Sequence, residues 1–231
     1  MTAPSIFWWR DDDAAQDHPN LVHLIQLSET HGVPLALAVV PDLVDERVVE
    51  RIRAAHMRVT VLQHGIAHEN HGLPDEKKVE LGGAAERDML IEGLRRGRAR
   101  LAHFFGDRFL DILVPPWNRI RDDVLSALPS VGFVGWSGFA ARCRRGSFSR
   151  IDTHVDLVDW RGTGRGWPFE TVRKALLDRA ATMAGEPIGL LSHHLVTTPD
   201  GFSTLDRALQ LVQHQNNCRW INIRDWIGKA E

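Results

Sequence analysis

The chain has 231 residues, enough to bury a sizeable core as one large domain or two small ones. Its 28 Lys and Arg against 30 Asp and Glu leave a net charge of −2, so no basic face for nucleic acid or anionic lipid is implied. The two cysteines, Cys143 and Cys218, lie far apart and in no CxxC spacing, which argues against a disulfide framework or a cysteine metal site.

The N-terminus carries no cationic lead-in. The apolar run over residues 6–9 stops at Arg10 and three aspartates, too short for a signal peptide or a membrane span, so a cytoplasmic protein is expected. Residues 5–9 read as a first strand. Apolar positions at helical spacing (Leu21, Leu24, Ile25, Leu27) predict a helix over 21–31, closed by Gly32. A nearly continuous apolar run predicts a strand at 35–40, followed by a helix at 45–56 and a strand at 59–62. The polar, Gly- and Pro-containing stretch 72–83 reads as a loop. A long amphipathic helix is expected at 84–105 and a fourth strand at 110–114, stopped by Pro115 and Pro116. Beyond it come a short helix at 122–128, strands at 132–136 and within 151–160, and a helix at 169–183. A strand at 188–192, a helix at 204–215, a strand at 219–223 and a closing helix at 225–229 complete the chain. No repeat or linker interrupts it, so residues 1–231 read as one domain. Strands that alternate with helices and are apolar on both faces indicate a parallel sheet buried between helices. Seven or eight such units fit a distorted (β/α) barrel better than an open doubly wound sheet, and no GxGxxG follows the first strand.

In such barrels the chemistry sits where the strands end in loops at their carboxyl side. Reading those ends here gives Asp11, Asp12 and Asp13 after the first strand, and His64 and His68 after the third. The fourth ends in Pro115, Pro116, Trp117 and Asn118, the sixth in Asp156, Asp159 and Trp160, and the seventh in His193 and His194. Two histidines in HxxxH can converge on one ion, and a carboxylate as third ligand leaves an open position in which water becomes a nucleophile near neutral pH. A second carboxylate can take its proton and another histidine can protonate a leaving group. Backbone N–H groups near Pro116 and Trp117 can stabilise a tetrahedral oxyanion. The chemistry implied is metal-assisted hydrolysis of an amide or ester. Singly, each residue has a plainer reading: adjacent aspartates as a solvated turn or helix cap, His71 as a satisfied loop residue, Trp117 and Trp160 as core. The weight comes from their occurring together, in order.

Taken together, the five segments resemble the motifs of the polysaccharide deacetylases, the NodB-homology hydrolases of carbohydrate esterase family 4, over 12–193 of the chain. The resemblance implies Asp12 as catalytic base, Asp13, His64 and His68 as ligands of one divalent metal ion, usually Zn2+, and His193 as general acid. It further implies an oxyanion-binding amide at Trp117 beside Pro116, Asp159 as the carboxylate that tunes the acid histidine, and Trp160 as a wall of the acetyl pocket. The implied activity is deacetylation, by water activated on the metal, of an N-acetylated sugar, glycoconjugate or other small acylated compound. The other readings are an inactive glycan-binding or regulatory pseudoenzyme and a hydrolase of a non-sugar amide such as a cyclic imide.

Three positions depart from the family pattern. Val114 stands where an arginine that positions the base is usual, leaving Arg10 or Arg119 to substitute. Asp11 stands where an apolar residue is usual, so the base and ligand pair is either Asp12 and Asp13 or, one register back, Asp11 and Asp12. Gly65 replaces the usual Ser or Thr beside His64.

Overall fold

Strand β1 (Ser5–Ala14) is the axis of the fold. In this computed structural model, which describes residues 4–55, 59–183 and 185–228, β1 pairs in parallel with three other strands. After it come α1 (Pro19–His31), β2 (Leu35–Val39), α2 (Glu46–Ala54), β3 (Val59–His64), α3 (Arg87–Phe105), β4 (Phe109–Val114), α4 (Asp122–Val131) and β5 (Gly135–Trp136). The two-residue strands β6 (Ser149–Arg150) and β7 (Val155–Asp156) follow, then α5 (Phe169–Thr182), β8 (Pro187–Ser192), α6 (Pro199–His214), β9 (Cys218–Trp220) and α7 (Ile223–Ile227). All the ladders are parallel, in the order β6-β5-β4-β3-β2-β1-β8-β7, with β9 added on β1.

One stretch of chain draws the sheet round on itself. The Ile151 and Thr153 amides bond back to Trp136 and Gly138, whereas His154 and Leu157 bond forward to Gly189 and Leu191 of β8 (3.1, 3.1, 2.7 and 2.9 Å). Residues 149–157 thus bridge the two ends of the sheet, and the architecture is a distorted (β/α) barrel. Of the strand expected within 151–160 only Val155–Asp156 forms, with β6 just before it at Ser149–Arg150, because the chain changes hydrogen-bonding partner between them. Elsewhere the element types match the sequence pattern and the boundaries move. β1 runs five residues past the expected end at Trp9, since Arg10 to Ala14 still have β2 and β8 beside them. Helix α6 starts earlier, at Pro199, where the Thr198 hydroxyl accepts from Gly201 N and proline's fixed φ suits a first turn. The last strand and helix each begin earlier than the pattern suggests. The expected helix ends at His56 and Lys229 lie outside the described residues.

Strand parity decides what faces where. Trp8, Arg10, Ala36, Ala38, Leu62, Ile112 and Val114 point into the barrel, where Ile223 and Trp226 join their apolar cluster. Phe7, Trp9, Leu35, Leu37, Val39, Val59 and Val61 point outward beneath the helices, in a cluster that takes in Leu21 and Leu24 of α1 and Leu205 and Leu209 of α6. On β8 the register Trp8↔Gly189 and Arg10↔Leu191 puts odd residues inside. Gly189 is there because the bridging segment crosses it: a Cβ would lie 2.5 Å from Thr153 Cα and 2.7 Å from Trp8 Nε1. No described helix is long and apolar enough to cross a membrane. Substituting Gly189→Ala overpacks this seam and is expected to lower unfolding free energy by about 1–3 kcal/mol, read as a reduced urea midpoint at unchanged slope.

Candidate active site

The site assembles at the carboxyl ends of β1, β3, β4, β7 and β8. On β1, Asp12 shares the inward face of Arg10, and both are buried. The guanidinium grips the carboxylate from two sides, with Nη2 to Oδ2 at 2.9 Å and Nε to Oδ1 at 2.8 Å, although the latter contact is an ion pair without hydrogen-bond alignment. Its Nη1 is held by the Ser137 hydroxyl at 2.6 Å and by the Ser137 and Gly138 carbonyls. Arg10 is therefore the arginine that contacts the Asp12 carboxylate. Arg119 turns away, donating to the Lys78 carbonyl.

Simple alternation would send Asp13 outward, like Asp11. It does not go there, because the β1–β2 register slips between Asp11 and Ala14 and Asp13 adopts a left-handed φ of 71°. Such a bulge re-aims a side chain, and aspartate tolerates this conformation better than most residues. Asp13 Oδ1 consequently lies 3.0 Å from His64 Nε2 and 3.2 Å from His68 Nε2. His64, buried at the end of β3, has its Nδ1 3.0 Å from the Val114 carbonyl, which leaves Nε2 to face the carboxylate. His68 sits in a left-handed turn at φ 58°, its ring 4.5 Å from that of Trp117. Trp117 and Asn118 are left-handed as well, in a tight turn after β4 closed by Asn118 N to Pro115 O and Arg119 N to Pro116 O. Four non-glycine residues of positive φ around one mouth mark a backbone held under strain by its surroundings.

Burial alone would raise the Asp13 carboxyl, but hydrogen bonds from His64 and His68 outweigh it and hold the group far below the usual carboxylate range. Burial would likewise lower His64, and the Asp13 carboxylate with Asp12 behind it reverses the sign, raising the imidazole above its usual value. The three donor atoms lie within 4.8 Å of one another. Ligands at about 2.0–2.2 Å from a tetrahedral zinc ion stand about 3.3–3.6 Å apart, a little wider than the 3.0 and 3.2 Å from Asp13 to the two imidazoles. With His64 oriented through its far nitrogen by a backbone carbonyl, the donor set fits a divalent cation.

His193 lies across the opening from Asp12, with Nε2 4.0 Å from Asp12 Oδ2. Its Nδ1 is 3.8 Å from Asp156 Oδ1. Asp156 also accepts from Trp160 Nε1 at 2.9 Å, and the Trp160 ring stands edge-on to His193 at 4.9 Å. Burial pushes the Asp156 carboxyl above its ordinary value. Family resemblance puts Asp159 beside the acid histidine, and here the structure differs. Asp159 accepts from Gly162 N and Thr163 N inside its own turn (2.9 and 3.0 Å), beyond the end of β7. The carboxylate facing His193 is Asp156, because β7 pairs Asp156 with Leu191, two residues before His193 on the same inward face. Asp11 and His194 face outward and pair with each other, with Ser192 also donating to Asp11 at 2.6 Å. Neither faces this cluster: the aspartates that do are Asp12, towards His193, and Asp13, towards His64 and His68.

Two supporting groups left no mark in the motif pattern. One is the pair of carbonyls at Ser137 and Gly138; the other is Glu80, buried in a stretch that reads as loop. Gly65 was the only sequence signal of the latter, a glycine where something approaches closely. A concavity of about 710 Å3, lined by Pro34, Trp220 and Asn222 among others, lies at the amino ends of the strands and is unrelated to this cluster.

No sequence-family profile and no curated protein matches the chain. Solved structures do. A protein assigned as a polysaccharide deacetylase from Mycobacterium smegmatis superposes with a TM-score of 0.70 at 17% identity, covering 94% of this chain and 86% of its own. The fold is that of the polysaccharide deacetylases. A family 4 acetyl xylan esterase from Clostridium thermocellum, solved with a cobalt ion, matches at TM-score 0.64 and 11% identity over 96% of this chain and 89% of its own. A family 4 pseudoenzyme from Bacillus anthracis matches at 0.65 and 15% over 96% of this chain and 65% of its own. The deacetylase fold thus accommodates both active and inactive relatives, and the site residues must decide between them.

Because a protonated His64 cannot offer Nε2 to a cation, zinc affinity is expected to be full above the raised His64 pKa. It should fall by up to about tenfold per pH unit below it. Isothermal titration in buffers of different ionisation heat would read both the affinity and the protons released.

Proposed function

We propose that this protein is a metal-dependent deacetylase that hydrolyses the N-acetyl, or another acyl, amide of a sugar or glycoconjugate. The observation that carries the reading is the facing pair Asp12 and His193, placed on opposite sides of an opening whose third edge is the Asp13, His64 and His68 cluster. A divalent ion held by those three residues, zinc by preference for two imidazoles and a carboxylate, would supply Lewis acidity to water and to the substrate carbonyl.

The remaining work falls to the chain itself. Asp12, held in place by Arg10, accepts the proton of the attacking water as its oxygen bonds to the carbonyl carbon. The Trp117 amide, in its left-handed turn beside Pro116, is the donor for the oxyanion. His193 delivers a proton to the nitrogen as the carbon–nitrogen bond breaks, releasing acetate and a free amine. Asp156 beside His193 Nδ1 orients that ring, and Trp160 with Pro116 bounds the space for the small acyl group. The two proton-transfer groups stand 4.0 Å apart, so both can reach the atoms of one reacting amide.

Acetate release from a panel of N-acetylated sugars tests the assignment. Asp12→Asn and His193→Ala should each lower kcat by about 10²–10⁴. Arg119→Ala should leave it unchanged, since that side chain only grips a surface carbonyl. Arg10→Lys keeps the charge and loses the two-sided grip, so a loss confined to kcat is expected. Bound metal with no acetate released from any member of the panel would instead identify an inactive binding protein of the same fold.

A further inference from the structure

After β3 the chain must double back so that His68, four residues past His64, returns towards Asp13. Nothing in residues 65–69 is regular structure, and the turn needs left-handed backbone at both Gly65 and His68. What shapes it is a single side chain from eleven positions further on. The Glu80 carboxylate, 1% exposed, accepts from the amides of Ile66 (3.0 Å), Ala67 (2.7 Å) and Glu69 (3.2 Å). Three converging amides form an anion nest, and charge-assisted bonds of this kind are about twice as strong as neutral ones.

Glu80 is itself tied down. Its carbonyl accepts from His71 Nδ1 at 2.7 Å, and the His71 amide bonds to the Val79 carbonyl at 2.8 Å. Leu81 bridges to Ile120 and accepts from Arg121 N at 2.8 Å, which joins this stretch to the connection that carries Trp117. Gly65 completes the picture: a Cβ there would lie 1.9 Å from Glu80 Oε2 and 2.6 Å from Pro116 Cγ, so the carboxylate occupies the place of a side chain at position 65.

We propose that Glu80 is the positioning residue of the metal-binding loop, its buried carboxylate clamping three loop amides so that His68 is held towards Asp13. This rests on the metal-dependent reading given above. Of the two imidazoles, His64 is fixed by its strand and by the Val114 carbonyl, whereas the backbone of His68 lies on irregular chain and its ring rests against Trp117 and Asp13. Loss of the clamp should therefore weaken the cation's hold through His68 and leave His64 in place.

The test compares wild type with Glu80→Gln, which keeps the volume and loses the charge and one acceptor oxygen. Zinc affinity is read by competition with a chromogenic chelator, and the loop amides by hydrogen exchange on the metal-free protein. Zinc binding weaker by about 10–100-fold, as for other supporting partners of metal ligands, is expected. Exchange should quicken at residues 66, 67 and 69 with the β3 amides unchanged, and saturating zinc should restore kcat. A purely structural role would lower thermal stability without moving the zinc affinity of the folded protein, and that result would overturn the proposal. Should Glu80→Gln fail to fold, Glu80→Asp retains the charge on a shorter stem and is expected to weaken zinc as well; unchanged affinity there, or unprotected amides at 66, 67 and 69 in the wild type, would equally overturn it. Wild type that binds zinc alongside an unaffected variant removes the role of Glu80 alone, whereas wild type that binds no metal removes the hydrolase reading together with it.

Discussion

The slip in β1 between Asp11 and Ala14 is the constraint on which the site depends. Neighbouring residues of a regular strand face opposite ways, so no straight strand could present both Asp12 and Asp13 to one opening. The bulge, with Asp13 in left-handed backbone, removes that restriction. Asp12 stays on the inward face with Arg10, Asp13 swings to His64 and His68, and Asp11 is left to pair outward with His194. Three consecutive aspartates thereby acquire three separate environments. β1 can carry such an irregularity because it is gripped along its length by β2, β8 and β9.

Burying this much charge requires that each group be answered. Arg10 is fully buried, and its guanidinium meets one carboxylate and three oxygens of residues 137 and 138. Breaking such a pair by removing one partner commonly costs about 3–5 kcal/mol, so Arg10 is a structural necessity for a buried Asp12. Asp13 is answered by two imidazoles, and the mutual pull of these groups lowers the acid and raises the buried base. A proton on His64 Nε2 and a cation would compete for the same atom.

The same fold houses active esterases and a pseudoenzyme, which makes the substitution at position 114 the point on which an argument for inactivity would rest. A cation does face Asp12, and it comes from a different strand than position 114. Arg10 reaches Asp12 from two residues away on β1, with Val114 contributing its carbonyl to His64 instead of a side chain to the base. A residue missing from its usual place in the sequence is not missing from the site when another strand passes the same point.

Element types, their alternation and the collection of polar residues at one end of the strands were legible in the sequence, because hydrophobic period and turn chemistry are local properties. The resemblance of five ordered segments extended that to a fold. Register was not legible. Whether Asp156 or Asp159 faces His193 depends on the pairing of a two-residue strand with β8, and one position of slip would exchange the faces. Glu80 was invisible for a related reason, since a buried carboxylate in a polar stretch looks like any solvated acid until the amides it collects are brought to it from eleven to fourteen positions away. Sequence alone determined which residues could do the chemistry. Only the tertiary structure decided which of them meet, because strand register, the bulge and the closure of the barrel are set by contacts between segments far apart in the chain.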